Sequence, residues 1–409
     1  MIGDGWDGDP SVRPGEFDAG AAGARGTRRV AVVTGSRAEF GLLRPVMAAV
    51  QACEGLELAV IAAGSHLIPP AETFRDVKKA FPVIDSVPMQ RPGPATRLDD
   101  AEALGRGVSR FARSFAGVRP DWVVVLGDRI EAFAAASAAS VGGIPLAHVH
   151  GGDRAEGIAD EAMRHAITKL AHLHFAATEQ SAERIRRMGE RPDSVHVVGS
   201  PAVDGLAATA PADDQAWQEL GSPEVVLLMH PIGRHAEEEE AAATAAIEGA
   251  LAAAEGNVLC LAPNRDPGRA GIVRAIEAAA AAHDRVNAME HMPRERFVAV
   301  LQRLAGSEGA PGGVLVGNSS AGLIEAAVLG VPTVNIGARQ TGRERAGNVV
   351  DVARELAADV AAAVTRARGL DLRGLEHPYG DGRAGVRIAE ILAAVNPHTS
   401  GLTRKCCAY

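Results

Sequence analysis

The sequence predicts an α/β protein built from two doubly wound parallel sheets that face one another across a cleft. Three observations carry that expectation. Short β-branched runs alternate with amphipathic stretches from Arg29 onward, and strand–helix alternation of this kind implies parallel sheets with helices on both faces. The alternation breaks at the Pro- and Asp-containing segment Leu206 to Gln218 and then starts again. A chain of 409 residues also exceeds one ordinary core, which makes two domains the prior. One (β/α)₈ barrel is the competing arrangement, but more than eight strands and the mid-chain break argue against it.

Residues 1–27 are rich in Gly, Asp, Ala and Pro and lack apolar patterning, so they read as a disordered leader, without the basic-then-apolar order of a signal peptide. Val30 to Thr34 is the first expected strand and Phe40 to Cys53 the first helix. Between them, Thr34-Gly35-Ser36-Arg37-Ala38-Glu39-Phe40-Gly41 places a glycine turn before a helix start, where N–H groups favour a phosphate and Arg37 adds a forked cation. The spacing is not G-x-G-x-x-G, and an ordinary strand-to-helix turn stays an equal reading.

Leu58 to Ala62, Trp122 to Leu126, Pro145 to Val149, Leu173 to Ala176 and Val195 to Val198 continue the strand series. His66 follows the first of these, Leu58 to Ala62, in a loop, where a histidine is usually just solvated. Gly127-Asp128-Arg129 ends a run apolar enough to be a central strand, so Asp128 stands at the mouth of the cleft as a base or an orienting acid. Its bland reading is a cap for the helix beginning near Ile130. His148-Val149-His150-Gly151-Gly152-Asp153 follows, with paired glycines that let backbone pass close to a ligand. Neither histidine pair (148/150 or 172/174) has the i, i+4 spacing of a helical zinc site. The adjacent acids Asp160 and Glu161 would repel if both ionised, which suits acid–base work; acidic capping of the following helix is the alternative.

The second series places strands at Val225 to Met229, Val258 to Leu261, Val314 to Val316 and Thr333 to Ile336, separated by Ala-rich helices such as Glu237 to Glu255. His230 follows the first of them. Gly317-Asn318-Ser319-Ser320-Ala321-Gly322-Leu323-Ile324-Glu325 is a small-residue loop feeding a helix, suited to a diphosphate held by Ser319 and Ser320, with Glu325 available to ribose hydroxyls. From about Pro397 the chain again reads as a flexible tail.

Bulk properties narrow the function. Apolar residues make up 47% and charged residues 23%, a globular balance, and the net charge of -9 with no basic face excludes nucleic acid as the expected partner. No apolar run reaches the ~18 residues of a membrane span. The four cysteines show no metal-ligand spacing and fit a reduced, cytoplasmic setting.

Taken together, these motifs resemble the UDP-N-acetylglucosamine 2-epimerase family, closest to the hydrolysing branch of sialic acid pathways. The pieces that carry the likeness are Gly64 to Leu67, Gly127 to Arg129, Asp160 to His174, Gly317 to Ser320 and Arg339-Gln340-Thr341-Gly342-Arg343-Glu344, in that order, within a span from about Val30 to Ile391. The resemblance implies a GT-B-like fold of two Rossmann-type domains: 28–207, with a C-terminal crossing helix at about 380–396, and a UDP-binding domain at 208–379. It implies removal of the C2 proton, anti elimination of UDP to 2-acetamidoglucal, and hydration to N-acetylmannosamine, with no cofactor or metal and a homodimer or homotetramer. Matched by motif, Asp128 and Asp160 are acid–base residues with Glu161 alongside, and His230 is a cleft-facing catalytic histidine. Arg129 and His66 support the site. Arg37, Ser319, Ser320, Glu325 and Arg339 match nucleotide-binding positions, with Asn264 and His291 on the uridine side. One departure is that some members carry a glutamate where this chain has His150, so either Asp153 or His150 takes that role or the product-forming half differs. The alternatives are a non-hydrolysing epimerase giving UDP-N-acetylmannosamine, a related 2,4-diacetamido-trideoxy substrate on UDP, a GT-B glycosyltransferase, and a nucleotide-sugar sensor.

Overall fold

The computed structural model describes residues 26–69, 73–93, 96–154, 161–263, 268–290, 292–306 and 312–408. The expected leader, except Gly26 and Thr27, and the candidates Asp160, Asn264 and His291 lie outside the described residues.

Among the described residues thirteen strands form two sheets. The first comprises β1 (Arg28–Thr34), β2 (Leu56–Ala63), β3 (Val83–Val87), β4 (Trp122–Leu126), β5 (Leu146–Val149), β6 (Leu173–Ala176) and β7 (Val195–Val197). The second comprises β8 (Pro223–Leu228), β9 (Asn257–Leu261), β10 (Val286–Met289), β11 (Val314–Gly317), β12 (Thr333–Ile336) and β13 (Val349–Val352). Their orders are β3-β2-β1-β4-β5-β6-β7 and β10-β9-β8-β11-β12-β13. Every pairing is parallel. Central strands are apolar throughout because helices cover both faces: β4 is buried at all five positions of Trp-Val-Val-Val-Leu.

Each sheet reverses its strand order once, between β1 and β4 in the first and between β8 and β11 in the second. At such a point the loops leaving neighbouring strands diverge to opposite faces and open a crevice at the strand carboxyl ends. That topology sets where a ligand can enter.

The helix Ala384–Ala394 packs onto the first half of the chain. Its Ile388 and Leu392 share a core with Val30 and Val32 of β1 and with Leu43, Val46 and Met47 of the helix Arg37–Ala52. Gly385 allows that approach, since a Cβ there would stand 2.6 Å from the Pro45 carbonyl oxygen. The C-terminal segment from Pro397 makes contacts with the first half of the chain. Leu402 packs against the same core, His398 Nε2 meets Asp121 Oδ1 at 3.0 Å, and Lys405 pairs with the buried Glu190. Among the described residues no helix is long and apolar enough to cross a membrane.

Candidate active site

The carboxyl ends at the two switch points line one cavity of about 370 Å³, within the range of small-molecule sites. From the first sheet come Ser36 and Arg37 after β1 and Gly127, Asp128 and Arg129 after β4. From the second come His230 after β8 and Ser319 and Ser320 after β11, with Glu325, Arg339 and Gln340 beyond. Another concavity of about 740 Å³ lies among Arg29, Glu57, Asp85 and Arg113, at the amino ends of β1 and β2. It gathers none of the loops at the switch points.

Asp128 is held from the side. Gly127 takes a φ of 73°, a left-handed conformation open to glycine, and turns the chain so that Asp128 faces the cleft. His148 of β5 donates its Nε2–H to the Gly127 carbonyl at 2.8 Å and fixes that turn. Burial pushes His148 down to about 3, so it is a neutral imidazole at physiological pH. Asp128 does not cap the following helix: Arg129 occupies that position without a side-chain cap bond. The Asp128 carboxylate instead pairs with Arg164, whose other terminal nitrogen pairs with Glu161 and donates to the Asp153 carbonyl at 3.1 Å. Arg164 is only 3% exposed. Burial, and then Arg343 and Arg339, push its guanidinium down to about 9, still above neutrality, so it remains a cation.

His150 sits in the left-handed region at φ 63°, one of three such non-glycine residues among those described. Strain of that kind persists where surroundings over-determine it. Here Nδ1 bonds Asp153 Oδ2 at 2.8 Å and Nε2 bonds Ser200 Oγ at 3.0 Å. Asp153 also accepts from Ser181 Oγ at 2.8 Å and lies 3.7 Å from Arg343. Although burial opposes ionisation, His150, Arg343 and Ser181 together hold the Asp153 carboxyl at about 2. Neither His150 nor Asp153 lines the cavity, and their polar atoms face one another.

His66 is likewise placed behind the wall. It is completely buried, bonded to Thr34 Oγ1 at 3.0 Å and Thr73 Oγ1 at 2.7 Å, and burial lowers it to about 4. Of the described candidates, His66, His150, Asp153 and Glu161 therefore stand outside the cavity lining. Glu161 touches it indirectly, through Arg164.

On the opposite wall, Asn318 organises the loop. Its side chain accepts the His230 N–H at 2.7 Å and donates to the His230 carbonyl at 2.8 Å. Its own carbonyl accepts from Arg339 at 3.2 Å and from Gln340 at 2.9 Å. Ser319 caps a short 3₁₀ turn, Ser320–Gly322, rather than an α-helix, and Glu325 opens the helix Glu325–Leu329. The buried Glu325 pairs with Arg294 at 2.8 Å.

Six arginines line the cavity: Arg37, Arg129, Arg164, Arg294, Arg339 and Arg343. In a protein of net charge -9 this is a local concentration of cations suited to an oligo-phosphate. Motif matching assigned no role to Arg164, Arg294 or Arg343. The usable signal was the i, i+3 pair Glu161 and Arg164, which puts both on one helix face.

A family model described as UDP-N-acetylglucosamine 2-epimerase matches residues 48–393. The chain is 34% identical, over 93% of its own length and 100% of the relative, to a protein of Legionella pneumophila named UDP-N,N'-diacetylbacillosamine 2-epimerase (hydrolyzing). It is 29% identical to the UDP-N-acetylglucosamine 2-epimerase of Neisseria meningitidis, covering 79% of this chain and 83% of the relative. Among solved structures, it shares its fold with the Neisseria meningitidis UDP-GlcNAc 2-epimerase bound to UDP-GlcNAc, at TM-score 0.75 and 21% identity, covering 90% of this chain and 100% of that one. The Methanocaldococcus jannaschii UDP-GlcNAc 2-epimerase in complex with UDP-GlcNAc and UDP aligns at TM-score 0.74 and 20% identity, with coverage of 90% and 100%.

Proposed function

Since the chain belongs to the UDP-N-acetylglucosamine 2-epimerase family, we propose that it expels UDP from UDP-N-acetylglucosamine and hydrates the resulting glycal to free N-acetylmannosamine. The observation that carries this reading is the pairing across one cavity: the Arg164-held Asp128 on one wall, and Ser319, Ser320 and Arg339 on the other. A base removes the C2 proton while the C1–O bond breaks, the electron pair leaving with the diphosphate and a C1=C2 double bond forming. Water then adds its oxygen to C1, and a proton returns to the opposite face of C2.

Asp128 is the described candidate for one of the proton transfers, with Asp160 the expected second. Because C2–H is weakly acidic, the base must be held in line with it, and the pairing with Arg164 supplies that orientation. The growing negative charge on UDP calls for donors already in place, a task suited to Arg37, Arg129, Arg339 and the hydroxyls of Ser319 and Ser320. His230, its backbone clamped by Asn318, is the proposed cleft-facing partner. Glu325 and Arg294 belong to the nucleotide side. His66, His150 and Asp153 serve as supports of the cleft wall.

A second reading concerns the sugar. The Legionella relative, matched over its whole length, is named for UDP-N,N'-diacetylbacillosamine, so a UDP-linked 2,4-diacetamido-trideoxy hexose is the competing substrate. Proton NMR in deuterated water distinguishes the readings when each UDP-sugar is supplied. Deuterium at C2 of a free 2-epimer, together with free UDP, is the expected result, and the sugar turned over identifies the substrate. Label in an intact UDP-sugar would replace hydrolysis with direct epimerisation. An absence of C2 exchange with both sugars would refute the proposal.

A further inference from the structure

We infer that the buried carboxyls Glu39 and Glu131 position Arg129 and the Gly35–Arg37 turn on the anion-facing wall of the cleft. The inference rests on the nucleoside-diphosphate reading above and adds to it two carboxyls to which the sequence analysis gives no role.

The chain makes room for this pair. Glu131 is fully buried and passes beneath two glycines. A Cβ on Gly35 would stand 2.4 Å from Glu131 Cβ, and one on Gly64 would stand 2.3 Å from its Oε1. Glu131 Oε1 accepts from Gln90 Nε2 at 2.9 Å, while Oε2 lies 3.5 Å from Arg129 Nε. Glu39, in the first turn of the helix Arg37–Ala52, is 5% exposed and lines the cleft. Its Oε2 accepts the Gly35 N–H at 3.2 Å and the Ser36 hydroxyl at 3.1 Å, which ties the carboxyl to the turn carrying Arg37.

The charged groups facing Glu39 are Glu131, from the helix Ile130–Val141, and Arg129 just before it. Two buried carboxylates against one guanidinium leave a surplus negative charge, and the lower-energy state keeps one proton in the pair. Burial, and then Glu131, raise Glu39 to about 8, while Arg129 and the bonds from Ser36 and Gly35 oppose the shift. At neutral pH Glu39 thus keeps its proton, and Glu131 Oε2 stays beside Arg129. Once Glu39 ionises as well, two anions compete for the same arginine and repel an incoming diphosphate.

The test is kcat/KM for the UDP-sugar and calorimetric Kd for UDP, both followed from pH 7 to pH 9.5. Wild type loses both affinity and kcat/KM as the pH passes about 8. Glu39→Gln, neutral throughout, flattens that alkaline limb relative to its own value at pH 7. Glu131→Gln removes the anion beside Arg129 and raises KM and Kd about tenfold, with a smaller change in kcat. An unaltered alkaline limb in Glu39→Gln overturns the proton held on Glu39, and unaltered UDP affinity in Glu131→Gln overturns the positioning of Arg129. If Glu39→Gln does not fold, the pH profile of Glu131→Gln takes its place: without the neighbouring carboxyl the limb moves to lower pH, and an unmoved limb overturns the pair. Failure of the nucleotide reading shows separately, as wild-type protein that binds no UDP at any pH.

Discussion

At the scale of single residues, position at a strand's carboxyl end was the legible signal. Asp128, Arg129, His230, Ser319, Ser320, Arg37 and Arg339 all follow a strand or the loop after one, and all line the cleft. Arg164 was harder to read because a helical arginine ordinarily points to water. Here it is buried among Asp128, Glu161 and the Asp153 carbonyl. His66 and His150 illustrate the converse, since both ring nitrogens of each are satisfied by Thr, Ser or Asp partners behind the wall. Asp128→Asn keeps the shape and removes the charge, so turnover is expected to fall at least ~100-fold, the usual worth of acid–base help. A steady-state kcat close to wild type would remove Asp128 from the mechanism. Arg164→Met strips the cation from two carboxylates and is expected to cost on the order of 3 kcal/mol, as for a broken buried pair. Urea unfolding measures it.

Among the elements, the central strands could be read from composition and three edge strands could not. β3, β10 and β13 are edges of their sheets, and each is only partly covered, with sequences Val-Ile-Asp-Ser-Val, Val-Asn-Ala-Met and Val-Val-Asp-Val. A strand with one open side needs fewer apolar residues, so its run falls below the pattern that marks β4. The contacts of the C-terminal segment are illegible in the sequence for a related reason. Lys405 and His398 dock through the single acids Glu190 and Asp121, which leave no periodic trace. Helix contacts carry their own prediction. Gly385→Ala gains up to ~1 kcal/mol of helix propensity, but its Cβ would lie 2.6 Å from the Pro45 carbonyl oxygen. Overpacking of ~1–3 kcal/mol outweighs that gain. Thermal unfolding should therefore show a lower Tm, and a raised Tm would mean that the two helices can separate at little cost.

Across the whole molecule, buried imidazoles set the response to acid. His66, His148 and His172 fall to about 4, 3 and 4, chiefly through burial. The unfolded chain binds these protons below about 6.5 while the folded one does not, so stability drains away as the pH falls from there. Asp153 and Glu190, both held near 2, contribute stability above their ordinary carboxylate range and lose it as the pH falls toward 2. Glu39 runs the other way: raised to about 8, it favours the fold at low pH and loses that contribution as the pH climbs from 4.5 to 8. The imidazoles outweigh the single carboxyl, so the unfolded chain is the net binder of protons between about pH 6 and 5 and stability falls with pH there. Urea midpoints at pH 7, 6 and 5 should fall accordingly, and equal midpoints would show that the imidazoles are hydrated in the native protein.

The chain passes between the sheets after β7 and returns before the helix Ala384–Ala394, and the two passages touch. Gly199 and Gly380, at φ 88° and 90°, lie so close that a Cβ on Gly380 would stand 2.8 Å from the Gly199 α-carbon, and Ser200 donates its N–H to the Tyr379 carbonyl at 2.9 Å. Both tethers thus share one pivot. Any rotation of one half against the other would swing about that line like a door on a single pin, with displacement growing with distance from it. Ser200, one residue from the pin, also holds His150, which puts the strained imidazole where the swing is smallest.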